Sequence, residues 1–341
     1  MAQPAEEIKT SFVSELTPNA SVNSAFLVLA KEIKQKKDGE PYLDLLLGDR
    51  TGQIKAVMWD RVAEIQAEFA QDDFIRVRGQ VQEFRDKPQL KIDRLRRVEE
   101  ADVRLADYLP ATSQDVEAMW RELQGRIAAM TNPHLQALLR AIFDDPAIAE
   151  RYRRAPAAKV LHHAYLGGLL EHVTSLARLA ELVVRNYTYV DRDLLIAGIL
   201  LHDLGKIEEL NYRRSFSYTT AGQLLGHMVL VLEIMHKKLA ELPGFPRPLQ
   251  TLLEHLIISH HGQYEFGSPK LPMFPEALLL HQLDDMDSKM QAMRTQLEQE
   301  AAAATEWTGY NRSLERPLLK VRQWTDAASA AETEAAGTER P

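Results

Sequence analysis

The sequence predicts a multidomain protein in which a small all-β barrel is followed by an all-α domain. Strand-like alternation, with turn signals between the runs, covers about residues 11 to 98. Apolar residues at helical spacing then dominate from about residue 112 to 304. The length of 341 residues is enough for about two domains, each with its own core.

The composition excludes several classes of protein. The chain has no cysteine, which rules out disulfides and thiolate metal sites. It has no apolar run approaching the ~20 residues of a membrane-spanning helix, and no secretory signal is evident. We therefore expect a cytoplasmic protein without a membrane partner. The formal net charge of −8 gives no overall attraction to nucleic acid, so such binding requires a local basic surface.

Five strands are predicted in the first hundred residues, at 24–30, 42–47, 53–59, 73–79 with 80–84, and 89–93. Turn chemistry at 36–41, 49–52 and 85–88 separates them, and a short helix falls at 61–69. Five strands with a small helix between the third and fourth indicate an OB-type barrel over residues 11–100.

The remaining chain is predicted to be helical. In the segment 101–145, apolar residues recur at helical spacing, which makes them either core or a packing surface between domains: Val116, Met119, Trp120, Leu123, Ile127 and Met130. An all-helical domain is expected over 146–322. Within it, Gly167 and Gly168 interrupt a helical pattern, which suggests close packing or the approach of a ligand. Residues 323–341, which are rich in Ala, Glu and Thr, are expected to form a disordered tail.

Histidines and aspartates recur along the predicted helices in a pattern suited to a divalent metal. The pattern consists of His172, the pair His202-Asp203, then His227, the pair His260-His261, and Asp284. A lone histidine on a helix is more often a packed or surface residue, but the ordered set predicts a metal site. Imidazole favours Mn, Fe, Co or Zn, and the carboxylates keep harder metals open. HExxH and Walker sequences are absent, which disfavours zincin proteases and P-loop NTPases.

The barrel carries features suited to a nucleic-acid strand. Phe26, Tyr42 and Trp59 are candidates to stack on bases, although alternation points about half of the strand aromatics inwards. Residues 75–97 contain eight basic and three acidic residues, a local balance of +5. A solvated strand face explains part of this charge, but we favour a phosphate-tracking groove that includes Arg76, Arg78, Arg85, Lys87 and Lys91.

Several longer phrases resemble known families. The stretches starting at Phe26, Lys36, Asp49 and Trp59 are similar to the nucleic-acid-binding OB fold of the anticodon-binding type. Residues 167–172, 201–206, 259–262 and 283–289 resemble the HD-domain metal-dependent phosphohydrolases, which are all-helical. The combination, over about residues 12 to 320, resembles the YhaM family of 3′→5′ exoribonucleases.

The resemblance implies hydrolysis of the phosphodiester bonds of single-stranded RNA, and of single-stranded DNA as a further substrate, to nucleoside 5′-monophosphates. It also implies one or two divalent ions, with Mn²⁺ expected first and Co²⁺, Fe²⁺, Zn²⁺ or Mg²⁺ as alternatives. His172, His202, Asp203 and Asp284 would hold one ion. His227 and His260, with His261 as an alternative or additional ligand, would hold a second, and Asp203 would bridge.

Other residues near the motifs are assigned to substrate. His202, Asp203 and Lys206 are the expected catalytic residues, with Lys206 contacting the scissile phosphate unless it is a surface lysine at a helix end. His163 and Arg213 are candidate substrate contacts, with a structural role and an exposed loop charge as their alternatives. His281 is expected on a polar helix face or in support of the ligands. Asp285 and Asp287 are expected to face solvent or to support the site.

Two other functions stay open at this point. The first is a phosphohydrolase of nucleotides or cyclic dinucleotides, although Gly262-Gln-Tyr-Glu stands where the cyclic-di-GMP branch has Gly-Tyr-Pro. The second is a non-catalytic single-strand-binding protein whose helices are scaffold. The sequence does not decide whether RNA or DNA is the preferred substrate. It also leaves open which metal binds, how many ions bind, and whether His260 or His261 is the ligand. Homo-oligomerisation is an expectation by family analogy alone.

Overall fold

The N-terminal part of the chain forms a closed five-stranded barrel, as predicted. The computed structural model describes residues 8–36, 38–84, 87–159, 163–212, 214 and 216–326. The predicted contacts Arg85 and Arg213 therefore lie outside the described residues. Of the predicted tail 323–341, residues 323–326 are helical and the rest lies outside the described residues. The barrel strands are β1 (Ser21–Gln35), β2 (Pro41–Asp49), β3 (Gly52–Met58), β4 (Phe74–Phe84) and β5 (Lys87–Val98).

The strand order around the barrel is β1-β2-β3-β5-β4, and a short helix, α1 (Val62–Ile65), lies between β3 and β4. β1 is long enough to pair with β4 through its first half and with β2 through its second half. An irregularity in register between Val28 and Ala30 marks the change of partner. The two strand pieces predicted at 73–79 and 80–84 are one continuous strand.

Alternation along β4 decides which side chains fill the barrel and which face outwards. Ile75 and Val77 are fully buried in the barrel core. Phe74 points to the opposite face and belongs to a separate apolar cluster outside the barrel, as expected for the two-residue period of a strand. The outward face continues through Arg76 and Arg78.

The rest of the described chain is helical apart from loops, short 3₁₀ turns and one small hairpin. Within the part of the chain that is described, no helix combines the length and apolarity needed to cross a bilayer. The helices are α2 (Val116–Ala128), α3 (Pro133–Phe143), α4 (Pro146–Arg154), α5 (Gly168–Asn186), α6 (Arg192–Leu201), α7 (Lys206–Glu209), α8 (Thr220–Ala240), α9 (Arg247–Ser259) and α10 (Pro275–Gln299), with β6 (Leu210–Asn211) and β7 (Ser217–Tyr218) forming the hairpin.

The predicted stripe on α2 belongs to the core of the helical domain. Met119, Leu123 and Ile127 are buried in one apolar cluster with residues from α3, α5, α6, α9 and α10. α6 is buried on every side, which explains its uninterrupted apolar sequence. The segment 101–145 therefore contributes helices to the same core that holds the metal candidates.

The glycine pair at 167–168 lies at the start of α5 and does not interrupt a helix, contrary to the sequence pattern. Gly167 is the N-cap of α5 and has φ +78°, a left-handed conformation that suits glycine. A Cβ on Gly168 would lie 2.1 Å from the carbonyl oxygen of His163. The expectation of close packing is thus confirmed, but it serves a tight turn before α5.

The barrel and the helical domain are in direct contact. Phe74 packs edge-on against Tyr108, with ring centroids 4.7 Å apart, and their cluster includes Leu166 and Phe216 of the helical domain. The guanidinium of Arg214 forms ion pairs with Asp73 of the barrel, at 3.0 Å, and with Glu100, at 2.8 Å. The start of β4 therefore adjoins the helical domain.

Candidate metal centre

Five helical segments bring the seven predicted ligands together. His172 lies on α5, His202 and Asp203 follow α6, His227 lies on α8, His260 and His261 follow α9, and Asp284 lies on α10. Among the described residues, three overlapping groups made up of these predicted ligands have ligand atoms within 4.8 Å of one another: His172 with His202 and Asp284; His202 with Asp203 and His260; and His227 with His260 and His261.

Asp203 lies between the two halves of this cluster and faces each with a different oxygen. Its Oδ2 is 3.5 Å from Nε2 of His202 and 3.9 Å from Nε2 of His172. Its Oδ1 is 3.5 Å from Nε2 of His227 and 4.0 Å from Nε2 of His260. This arrangement suits a carboxylate that bridges two cations.

Two glycines set the backbone around these ligands. Gly205 lies in the turn after Asp203, and a Cβ there would lie 2.0 Å from the carbonyl oxygen of His227, so the turn packs directly on α8. Gly226 has φ +72° and breaks the helical geometry of α8 just before His227. The freed amide of His227 donates to Oε1 of Glu209 at 3.0 Å. α8 is therefore interrupted at Gly226, just before the ligand His227.

Every imidazole of the cluster has its Nδ1 next to a hydrogen-bond acceptor. The Nδ1–H groups of His202, His260 and His261 donate to backbone carbonyls at 2.9, 2.6 and 2.8 Å. Those of His172 and His227 donate to carboxylates, Asp287 at 2.8 Å and Glu209 at 3.3 Å. These partners fix the tautomer that leaves Nε2 as the metal-ligating atom.

The protonation states also suit metal binding. Burial lowers the pKa of His202 and His261, and lowers that of His260 well below its usual value, so these rings are neutral ligands. Burial by itself raises the pKa of Asp203, but the charge of the Lys206 ammonium holds it well below its usual value. The carboxylate is therefore ionised inside the protein.

His172 differs from the other rings because two carboxylates contact it. Burial by itself lowers its pKa, but hydrogen bonds with Asp284 and Asp287 raise it to about 9. Nε2 of His172 lies 3.2 Å from Oδ1 of Asp284. A cation between them would take the place of the proton, as metal binding to histidine requires.

Two buried polar atoms support the presence of a cation. Nε2 of His202 and Oδ1 of Asp203 are buried without a hydrogen-bond partner among the described residues. Buried polar atoms are rarely left in this way unless a water or an ion satisfies them. Nitrogen and oxygen donors directed at one small volume are the ligands that divalent transition metals prefer. The residues present thus fit a divalent metal centre.

The other predicted site residues take varied positions. Nζ of Lys206 lies 2.6 Å from Oδ2 of Asp203, inside the cluster. His163 is buried, with its ring nitrogens 2.8 Å from the hydroxyl of Tyr165 and 3.1 Å from Asp287. This position agrees with the structural alternative for His163, in support of Asp287, and its contact with substrate stays a prediction. Nδ1–H of His281 donates to the carbonyl of His260 at 3.0 Å, a supporting position.

Among the aromatic residues predicted to stack on bases, Phe26 is fully buried in the barrel core. Its assignment is corrected, because it cannot face a ligand. Tyr42 and Trp59 stack on each other with centroids 4.6 Å apart, and Trp59 is exposed. They line a groove of about 460 Å³ together with Gln35, Lys36 and Asp38.

The basic residues predicted on the barrel lie partly in a second groove and partly elsewhere on β5. Arg76 and Arg78 line a different groove, on β4 and β5. Lys91 is half-buried on β5, and Lys87 starts that strand.

Two supporting carboxylates complete the centre. Asp287 lies three residues after Asp284, so the helical period places both on one face of α10, a signal present in the sequence. Asp287 also accepts from the hydroxyl of Ser175 at 2.5 Å. Glu209 was not found, because it depends on the fold of the turn after α6 and on the break at Gly226.

Replacing Asp287 with asparagine should weaken metal binding by about 10- to 100-fold, the usual effect of removing a partner of a metal-bound histidine. The amide still accepts from Nδ1 of His172 but no longer raises the basicity of the ring. Isothermal titration of the metal-free protein with Mn²⁺ measures the affinity. Asp285→Asn is the matched control, because Asp285 lies on the same helix and pairs only with Lys289 among the described residues. Equal affinities for both variants would contradict the assignment.

Comparison with known proteins agrees with this geometry. Residues 27–98 match the family model of the OB-fold nucleic acid binding domain, and residues 169–289 match that of the HD domain. A 3′-5′ exoribonuclease YhaM from a Geobacillus species is 40% identical over 263 residues, which are 76% of this chain and 80% of the relative. The YhaM protein of Bacillus subtilis is 37% identical, over 76% of this chain and 82% of the relative. That of Bacillus pumilus is 38% identical over the same shares. The chain therefore belongs to the YhaM family of 3′-5′ exoribonucleases.

Proposed function

We propose that this protein shortens single-stranded RNA from its 3′ end and releases nucleoside 5′-monophosphates. The observation that carries the proposal is the position of Asp203, whose two oxygens face two separate groups of imidazoles. Paired metal positions joined by a carboxylate are typical of enzymes that cleave phosphodiester bonds. Single-stranded DNA is a second expected substrate.

The ligand set divides between two ions. His172, His202, Asp203 and Asp284 would hold one, and His227, His260 and His261 would hold the other with Asp203. Divalent ions there would neutralise phosphate oxygens and lower the pKa of water. Mn²⁺ is our first choice because the donors mix imidazole with carboxylate, and Co²⁺, Fe²⁺, Zn²⁺ or Mg²⁺ are the alternatives.

The protein's own groups prepare the site for this reaction. Backbone carbonyls, Asp287 and Glu209 fix the imidazoles, so that the ligands need little rearrangement. Lys206 holds Asp203 ionised and has further N–H groups to offer to the scissile phosphate. In hydrolysis, water adds to phosphorus, the bond from phosphorus to O3′ breaks, and a proton passes to O3′.

The barrel would hold the strand whose 3′ end enters the helical domain. The exposed stack of Tyr42 and Trp59 offers an aromatic surface for bases, as in other single-strand-binding barrels. Binding at the barrel would raise the local concentration of the 3′ end at the metal centre.

Single-stranded RNA labelled at its 5′ end tests the proposal directly. With Mn²⁺ present, we expect a ladder of products shortened one nucleotide at a time from the 3′ end. Removal of metal with EDTA should stop the reaction, and added Mn²⁺ should restore it. Cleavage of mononucleotides or cyclic dinucleotides instead of the strand would overturn the proposal. Binding of RNA without cleavage under any divalent metal would do so too.

A further inference from the structure

Four arginines form two directly opposed pairs on the outside of the barrel. Arg76 pairs with Arg96 and Arg78 pairs with Arg94 in the register between β4 and β5. We call these four residues the arginine ladder. The intervening Val77 and Leu95 point into the barrel core, so the arginines share the outward face. With Asn23 they line an open groove of about 440 Å³.

The ladder is unfavourable for the protein alone. Like charges directly opposite each other on neighbouring strands destabilise a sheet. Among the described residues, Arg78, Arg94 and Arg96 form no ion pair, and they are exposed. The nearby acid Asp73 pairs instead with Arg97, at 3.5 Å, and with Arg214, at 3.0 Å. Within the groove, Nε of Arg76 donates a hydrogen bond to Oδ1 of Asn23, at 3.2 Å.

The groove differs in kind from the Tyr42–Trp59 surface. That surface lies on β2 and just after the end of β3, whereas the ladder lies on β4 and β5 beside the first half of β1. Among the residues that the structure describes, no aromatic side chain lines the ladder's groove. Guanidinium groups bind phosphate oxygens through two hydrogen bonds and are weakly hydrated. The chemistry therefore fits a backbone of phosphates and offers no surface for stacked bases.

The position of the ladder relates it to the helical domain. Phe74 and Val98 are opposite each other at the start of the same outward face, in the apolar cluster that contacts the helical domain. The next pair on this face is Arg76, two residues after Phe74, and Arg96, two residues before Val98. The rise of a β-strand places this pair roughly 7 Å from the first. The ladder thus begins beside the contact between the two domains.

We propose that the arginine ladder binds the phosphodiester backbone of the RNA strand upstream of the 3′ end that is being trimmed. This inference rests on the proposed function, which supplies the polyanion. Each bound phosphate would offset the repulsion between the paired arginines. Contact with the backbone alone makes the binding independent of base sequence.

The test compares Arg94→Gln/Arg96→Gln with Arg121→Gln/Arg140→Gln, a control with the same change of charge at exposed positions on α2 and α3. Binding of RNA longer than about 16 nucleotides is measured by fluorescence anisotropy at several salt concentrations without metal. For two lost phosphate contacts we expect the slope of log K against log salt to fall by about 1.4. We expect affinity to fall roughly tenfold for poly-U and poly-A alike, and the control to match wild type.

A trimming assay distinguishes a defect in the ladder from a defect in the metal centre. With Mn²⁺, the ladder variant should shorten long RNA more slowly than wild type at sub-saturating concentration. It should degrade an oligonucleotide of about 4 nucleotides, near the lower limit of an OB-fold site, at the wild-type rate. Its melting temperature should equal or exceed that of wild type, because opposed charges are removed.

Three outcomes would overturn the ladder proposal. They are an unchanged salt slope, an equal effect on short and long RNA, and a change in oligomeric state by light scattering, which would make the ladder a contact with an acidic surface of a second copy. If the wild-type protein trims neither substrate, the proposed function is wrong. The salt dependence of RNA binding still shows in that case whether the ladder binds phosphates.

Discussion

Replacing Asp203 with asparagine should reduce kcat/KM for single-stranded RNA by on the order of 10³-fold or more. The amide keeps the shape of the side chain but loses the charge that both groups of imidazoles share through Oδ1 and Oδ2. A metal ion contributes several kcal/mol to a transition state of this kind, and each 1.36 kcal/mol is tenfold in rate. Gel-resolved trimming gives the rate, and elemental analysis of the purified variant gives its metal content.

The loss must be separated from unfolding. Removing the charge also leaves the ammonium of Lys206 without its partner at 2.6 Å, so thermal melts of the metal-free proteins belong in the comparison. Asp285→Asn serves again as the control and should keep wild-type rates. Near-normal trimming by folded Asp203→Asn with full metal content would refute the bridging role.

The second large effect is expected from Gly205→Ala. Gly205 has φ −60°, which any residue adopts, so the cost is purely steric. The new Cβ would lie 2.0 Å from the carbonyl oxygen of His227 and 2.8 Å from the amide nitrogen of Val231. Both are backbone atoms, so α7 and α8 must separate. We expect a loss of about 3 kcal/mol in the free energy of unfolding, the upper part of the usual range for overpacking.

Urea denaturation measures this loss as a lower midpoint at an unchanged slope. Gly125→Ala, within α2, is the matched control, because among the described residues no atom outside its chain neighbours and the backbone of its own helix lies within 4 Å of the added Cβ. It should stabilise the protein by roughly 0.5–1 kcal/mol, since alanine favours a helix. A midpoint for Gly205→Ala as high as that of wild type would show that the two helices are not fixed by this contact.

The sequence predicted the fold and most of the ligand set because those features follow short-range rules. Strand alternation and turn residues gave the barrel, and the motif around His202 and Asp203 indicated the other ligands through family resemblance. Phe26 was misassigned because alternation separates two faces of a strand without saying which of them faces the core.

The features that were missed depend on tertiary contacts. The break at Gly226 and the turn at Gly167 both require a positive φ, which an isolated glycine in a helical pattern does not reveal. The role of Glu209 depends on that break, because its carboxylate accepts a hydrogen bond from the backbone amide of His227 that the break frees. The arginine pairs became visible only once the register between β4 and β5 was known.

The contact between Phe74 and Tyr108 has a consequence for the products. The backbone amide of Thr112 also donates to the carbonyl of Leu166, at 2.8 Å. Together, the ring contact and this hydrogen bond join the barrel, the segment that connects the two domains, and the turn before α5. We expect these contacts to keep the distance between the barrel and the metal centre nearly constant. An RNA shorter than this distance cannot contact the barrel and the metal centre at the same time. We therefore expect digestion to slow abruptly at a characteristic length of the remaining RNA.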